Sequence, residues 1–370
     1  YGGSAVDYAL RLHGDNIYPD EMLALPDLDF YSPDSVFDAY DLTKILYNAG
    51  FTSARTIVGM YVLTMRVDII DNHFLADISY VPKKIFETLP TLEYEGMKII
   101  DPIFQKIDFH SCLAFPFDNP PREVIFEKWK KYIERFNKMH KYYPTPSMQL
   151  RSKLSLVTFK CEKISSVLLD GFAAYGAILR SLMHMHNAIG VGGRKPQIKL
   201  PAEILPCEFS ISGNSITCDT LDDTINVAHF DTDICIKMLN ITDIQYYASY
   251  INIMMKHLEG KSNGVNFVVT STENKLISVH RITIDDTLVA TVGIQFVLLR
   301  FLVSAHMSTG RTRATYYAYY DSLMAIIEHA ERLISMMPDN EQRKALIANA
   351  PFFPTVKVFG SSNNSAAYTI

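Results

Sequence analysis

Apolar positions along this chain switch between two periods, and the switches mark its elements. Ser4-Ala5-Val6-Asp7-Tyr8-Ala9-Leu10-Arg11-Leu12, within residues 4–13, reads as a helix opened by Gly2-Gly3. A second helical run spans 36–46, with Asp34 placed to cap it and Gly50 near its end. Arg55 to Leu63 and Thr64 to Ile70 are rich in β-branched residues and read as strands. Residues 74–81 form another strand, which Val81-Pro82 ends, and a short helix covers 83–89. From Arg122 to Tyr142, Ile125, Trp129, Ile133 and Phe136 recur at helical spacing as a core-facing stripe. Tyr143-Pro144-Thr145-Pro146 then breaks the pattern. Beyond it lie an alanine-rich helix over 171–180, strands at 265–270 and 276–284, and an amphipathic helix over 321–336. The uncharged apolar run from Thr287 to Leu299 reads as a buried helix.

These elements predict an α+β protein with two domains, 1–145 and 146–360, and a polar tail over 361–370. Composition adds little: 48% hydrophobic and 20% charged residues fit an ordinary globular chain. The 13 residues from Thr287 to Leu299 fall well short of the ~20 that cross a bilayer, so no membrane span is expected. Cys112, Cys161, Cys207, Cys218 and Cys235 are scattered without metal-ligand spacing, which argues against zinc and suits a reducing compartment. Charge changes the picture more. The chain carries −5 overall, yet residues 1–50 hold nine acids and two bases, whereas 121–160 hold ten bases and three acids. Acid gathers at one end of the first domain and base at the other, the field suited to joining a polyanion to a metal-bound nucleotide.

The acid carries the candidate chemistry. Asp27 and Asp29 are two apart, so on a strand both project from one face while Leu28 and Phe30 pack on the other. Paired carboxylates repel, and a divalent cation is the usual compensation; Mg²⁺ takes one or two carboxylates plus substrate phosphates. Asp77, inside the apolar run Phe74-Leu75-Ala76-Asp77-Ile78, offers a third carboxylate from an adjacent strand. Such a carboxylate completes a two-metal site and draws the proton from an attacking hydroxyl. Gly2 and Gly3 open a helix whose free N–H groups and dipole attract phosphate, and the Ser4 hydroxyl adds a hydrogen bond. Gly-Gly, then Asp-x-Asp, then a distal Asp is the polymerase-β-type nucleotidyltransferase pattern.

Longer runs narrow the likeness. "YGGSAVDYALRLHG", "LPDLDFYSPDSVFDAYDLTKILYNAGF", "FLADISYVPKKIFETLPTL" and "AFPFDNPPREVIFEKWKKYIERFNKMHKYYP" resemble the poly(A) polymerase catalytic subunits of large cytoplasmic DNA viruses. The asfarvirus type is nearest, and the mimivirus and poxvirus types are more distant. The likeness is specific over about 1–150 and weaker up to Pro351-Phe352-Phe353-Pro354 and Val358-Phe359-Gly360. It implies a polymerase-β-like domain with a mixed sheet and flanking helices. It also implies addition of AMP from ATP to RNA 3′ ends, with Mg²⁺ or Mn²⁺ on Asp27, Asp29 and Asp77 and nucleotide phosphates on Gly2, Gly3 and Ser4. Location in the host cytoplasm, at the viral factory or in the virion, follows from the same resemblance. So does a partner, either a second copy or a cap-methylating processivity subunit. The family has a strand before Gly-Gly, and this chain begins at Tyr1, so that strand is expected to be truncated.

Other candidates stay open. Lys128, Lys131, Arg135 and Lys138 are expected on RNA phosphates, against a plain solvated helix face. His110 reads as structural before catalytic. Asp170-Gly171-Phe172-Ala173-Ala174-Tyr175 parallels the start of the chain, and Asp231-Thr232-Asp233 parallels its Asp-x-Asp. The second half thus reads either as a degenerate, non-catalytic nucleotidyltransferase copy or as an ordinary domain with an alanine-rich helix. Arg311 and Arg313 before Tyr316-Tyr317-Ala318-Tyr319-Tyr320 offer stacking for single-stranded RNA, against a helix surface. Two rival functions also remain at this point: an inactive RNA-binding scaffold, and nucleotide transfer to a small molecule or a protein.

Overall fold

The computed structural model describes residues 1–19, 27–59, 64–69, 73–81, 83–87, 89–114, 122–146, 155–160, 164, 167–169, 171–189, 200–220, 229–230, 268–270, 279–341, 343–344, 356–357 and 365–366. By its contacts the chain forms two compact units: Tyr1–Phe109 and Asp118–Pro144 fall in the first, and His110–Phe117 and the chain from Thr145 to Met238 in the second.

The first unit begins with α1 (Gly2–Arg11), followed by β1 (Leu28–Ser32), α2 (Ser35–Asn48), β2 (Ala54–Val58), β3 (Thr64–Ile69) and β4 (His73–Tyr80). The short α3 (Lys83–Phe86), the hairpin of β5 (Thr91–Tyr94) and β6 (Met97–Ile100), the start of helix α4 (Pro102–Ala114), whose residues from His110 on belong to the second unit, and helix α5 (Arg122–Tyr142) complete it. Four strands form a mixed sheet in the order β1-β4-β3-β2. β1 runs parallel to β4, and β3 runs antiparallel to both β4 and β2. Alternation along these strands sorts the sheet's two faces. Val67, Ala76 and Ile78 point to one face, where Ala39, Leu42 and Leu46 of α2 cover them. The polar positions between them, Arg66 and Asp77, fall on the other. On α1, Ala5 and Ala9 pack with Ile99 of β6, backed by Tyr8, Leu92, Tyr94 and Tyr143.

One expectation for this unit needs correction, and one stretch carried none. Asp34 stands at the N-cap of α2, but its side chain makes no capping bond; instead its N–H donates to Ser32 Oγ at 2.8 Å. Residues 91–114 show no strong period in the sequence, yet they fold as a hairpin and a helix. Glu95 and Gly96 both take positive φ at the hairpin turn. Asp101 caps α4 by accepting the Ile103 N–H at 2.8 Å, with Pro102 at its first position.

The second unit holds β7 (Ser155–Lys160), β8 (Val167–Leu169), α6 (Gly171–Ile189), β9 (Phe209–Ser212) and β10 (Ser215–Thr220). It continues with β11 (His229–Phe230), β12 (Val268–Thr270), β13 (Val279–Ile284), β14 (Thr287–Val292), α7 (Ile294–Met307) and α8 (Gly310–Ser335). A three-stranded sheet, β7-β10-β9, accompanies a five-stranded one, β11-β12-β8-β14-β13. The run from Thr287 to Leu299 is not one helix. Its β-branched first half pairs with β13 through a turn at Asp285-Asp286, both at positive φ, and Gly293 starts α7. The tyrosines of α8 are not a stacking surface either. Tyr316 and Tyr319 join Phe172, Tyr175 and Phe301 in a buried aromatic cluster, and Tyr320 is fully buried. His110 is structural: its Nδ1 pairs with Gln295 Oε1 and its Nε2 with the Tyr320 hydroxyl, each at 2.8 Å. Gly171 enters α6 at φ 62°, much as Gly2 enters α1 at 70°. Asp231 and Asp233 lie outside the described residues. Among those residues, no helix is long and apolar enough to cross a membrane.

One buried charge anchors the start of the chain. Asp7 of α1 is 3% exposed. It accepts Arg11 Nε at 2.5 Å and the N–H groups of Ile17 and Tyr18 at 2.7 and 2.9 Å. Removing one member of such a set leaves buried partners unmatched. Asp7→Ala is expected to lower stability by about 3 kcal/mol in urea unfolding, whereas Asp41→Ala on the exposed face of α2 should change it by less than about 1.

Candidate active site

Register brings the acids together. In the parallel pair β1–β4, Asp29 lies directly opposite Asp77, and Leu28 opposite Ala76. Parallel partners share a face, so both carboxylates point away from the α2 core. Asp27, one residue before β1, adds the third. Carboxylate oxygens of Asp27, Asp29 and Asp77 all lie within 4.8 Å of one another. Three oxygen donors so close, with Asp27 open to solvent, are a donor set that a hard divalent cation fits.

The same face supplies what keeps these carboxylates in place. Arg66 of β3 is the cross-strand neighbour of Asp77 and binds both of its oxygens, through Nε at 2.6 Å and Nη2 at 2.5 Å. Its guanidinium lies 4.3 Å from the centre of the Phe74 ring. Tyr1 bridges the strands: its backbone nitrogen donates to the Asp29 carbonyl at 2.8 Å, and its hydroxyl pairs with Ser79 Oγ at 2.8 Å. The Tyr1 ring stacks on Tyr31 with centroids 3.9 Å apart. Asp29 bears the electrostatic strain. Burial, then the charge of Asp27, pushes its carboxyl up to about 7. Asp108 of α4 acts on Asp29 as well, and burial pushes Asp108 itself up to about 6.

The glycines are required by contact. Gly2 has φ 70°, and a methyl there would overlap the Asp29 carboxylate. At Gly3 it would overlap the Tyr18 hydroxyl and come 2.9 Å from Arg135 Nη1. The Ser4 hydroxyl donates to the Asp27 carbonyl at 3.0 Å, which fastens α1 to the acidic strand. Of the expected RNA contacts, Lys131 is exposed, and Lys138 is engaged with Asp15 Oδ1 at 3.0 Å and with the Asn16 carbonyl. The Lys128 side chain lies outside the described residues. Sequence reasoning missed Arg66, Tyr1, Tyr18 and Asp108. Only pairing across strands and helices gives them meaning, and no local spacing marks them.

Comparison with known proteins adds an independent line. Residues 1–119 match the family model described as "Poly(A) polymerase catalytic subunit". A protein of African swine fever virus (isolate Warthog/Namibia/Wart80/1980), provisionally named a poly(A) polymerase catalytic subunit, is 33% identical over 380 residues; these take in all of this chain and 76% of the relative. A protein of Acanthamoeba polyphaga mimivirus with the same provisional name is 29% identical over 199 residues, 49% of this chain and 32% of its own. Among solved structures, the Megavirus polyadenylate synthase superposes with a TM-score of 0.53 at 17% identity, covering 92% of this chain and 68% of that one. That likeness concerns the fold.

The strain on Asp29 predicts a linkage. A carboxyl that titrates higher folded than unfolded binds its proton more tightly when folded. Stability is therefore lost as pH rises from about 4 to about 7. In metal-free buffer at pH 7, Asp29→Asn is expected to be more stable than the wild type by on the order of 2 kcal/mol in urea unfolding. Added Mg²⁺ should raise wild-type stability and leave the variant nearly unchanged.

Proposed function

This chain belongs to the poly(A) polymerase catalytic subunit family, and we propose that Asp27, Asp29 and Asp77 form the centre at which it adds AMP from ATP to RNA 3′ ends. The observation that carries this reading is the register of Asp29 opposite Asp77, which with Asp27 gathers three carboxylates within 4.8 Å on one sheet face.

These carboxylates would hold Mg²⁺ or Mn²⁺. When bound, the cations lower the pKa of the RNA 3′ hydroxyl and offset charge on the leaving pyrophosphate. The chain's own residues do the rest. The RNA 3′ oxygen forms a bond to the α-phosphorus of ATP, the bond to the β-phosphate oxygen breaks, and pyrophosphate departs. Asp77 faces the attacking hydroxyl and takes its proton. Arg66 fixes the orientation of Asp77 through two hydrogen bonds. Asp27 and Asp29, fixed two apart on one strand edge, hold the nucleotide side of the site. Gly2 and Gly3 open α1 without side chains, so the helix's first N–H groups meet the β- and γ-phosphates at close range. Ser4 steadies that approach by tying the helix to Asp27.

RNA reaches the site along α5, where the exposed Lys131 supplies a phosphate contact. The second unit serves as a platform and takes no part in the chemistry. Its resemblance to a second nucleotidyltransferase rests on the strand–glycine–helix entry at Gly171.

Incubating a short labelled RNA with each nucleoside triphosphate separately, in Mg²⁺ or Mn²⁺, tests this reading. A ladder is expected with ATP, and little or none with CTP, GTP or UTP. Asp27→Ala, Asp29→Ala and Asp77→Asn should each reduce extension by about 10³-fold or more, because the ligands act as a unit. Extension that survives these changes would contradict it.

A further inference from the structure

Two side chains close over Gly3, and the aspartate centre explains neither. Tyr18 is held there by α1 itself: Asp7 Oδ1 accepts its N–H at 2.9 Å, and Arg11 Nη2 donates to its carbonyl at 3.0 Å. Arg135 arrives from α5, more than a hundred residues later. Its Nη2 donates to the Tyr18 hydroxyl at 2.8 Å, and its guanidinium lies 5.5 Å from the centre of the Tyr18 ring. Nη1 and Nη2 sit 2.9 and 3.1 Å from where a Cβ on Gly3 would be.

Charge pairing sets Arg135 apart. Arg11, Arg55, Arg66 and Lys138 each have a carboxylate partner, Asp7, Asp68, Asp77 and Asp15 respectively. Among the described residues Arg135 has none, although acids crowd this end of the unit. A planar fork of five N–H donors spends one on a tyrosine hydroxyl and is held rigidly over the turn that opens α1. A cation so fixed, with donors to spare, suits an oxyanion with several oxygens.

We propose that Arg135 binds the β- and γ-phosphates of the incoming nucleoside triphosphate, and that Tyr18 positions it. This deepens the functional reading above and rests on it. It moves Arg135 from the RNA path, where the sequence places it with its neighbouring lysines, to the nucleotide. The same contact bears on the leaving pyrophosphate, so Arg135 acts on turnover as well as on binding. It also ties α5 to the catalytic turn.

The test is steady-state addition of AMP to RNA by the full chain, with ATP and RNA varied in turn, for the wild type, R135A, R135K and Y18F. For R135A the KM for ATP is expected to rise about 10- to 100-fold, the loss of a charge-assisted pair, while the KM for RNA stays unchanged. Inorganic tripolyphosphate should inhibit the wild type and lose potency on R135A by a similar factor, whereas inhibition by AMP should not change. R135K is expected to recover part of the loss, because lysine keeps the charge without the fork. Y18F should raise the KM for ATP about 3- to 10-fold through a less fixed guanidinium. If R135A loses its cooperative melting transition, R135K and R135Q are read for the same split. A raised KM for RNA with an unchanged KM for ATP would return Arg135 to the RNA path and overturn the proposal, as would unchanged constants. A wild-type chain that extends no RNA would instead overturn the functional reading, and this proposal with it.

Discussion

Repulsion among three carboxylates is the constraint on which the first unit depends. Asp27, Asp29 and Asp77 share one face of a small sheet, each within 4.8 Å of the others at its ligand atoms. Without compensation, such a cluster would twist the strands apart or take up protons. The chain supplies compensation from several directions. Arg66 neutralises Asp77 from the next strand, and Tyr1 braces β1 against β4 through Asp29 and Ser79. What remains shows as a carboxyl on Asp29 pushed up to about 7.

A second layer of charge keeps α1 against this cluster. Asp7 is buried because Arg11 and two loop N–H groups surround it, and the loop it gathers carries Tyr18 to the helix start. Asp15, on the same loop, accepts Lys138 and the Tyr142 hydroxyl from α5, which holds that helix alongside. The sequence shows acid at one end and base at the other. In the fold, part of that base is spent on positioning loops and helices, as Lys138 is on Asp15 and Asn16.

Much of the first unit was legible because its signals are local. Asp27 and Asp29 at two-residue spacing, Asp77 within an apolar run, the glycines before α1 and the helical span of α5 all follow from one period or one short motif. The hairpin at 91–100 and the helix from Pro102 were passed over. Four-residue strands leave little pattern, and the Asp101-Pro102 start signal precedes an unremarkable amphipathic run. The misreading of Thr287 to Leu299 has a clear cause. Apolar content alone does not separate a buried strand from a buried helix, and here β-branching up to Val292 and the turn at Asp285-Asp286 were the deciding features. Aromatics beside arginine on α8 leave RNA stacking and a plain helix surface both open in the sequence, whereas packing against Phe172 and Phe301 places the tyrosines in the core. Arg66 and Tyr18 could not be read at all, and Arg135 could be read only as one more base on α5. Their roles exist only after β3 meets β4 and α5 meets α1.

The account stands most directly on whether the three aspartates hold a divalent cation together with nucleotide. A Mn²⁺ titration followed by electron paramagnetic resonance, with a non-hydrolysable ATP analogue present, measures this without turnover. The account predicts two ions bound per wild-type chain, and weak or no binding once Asp27 and Asp29 are replaced by alanine. Binding unchanged by those replacements, or no binding by the wild type, would contradict it.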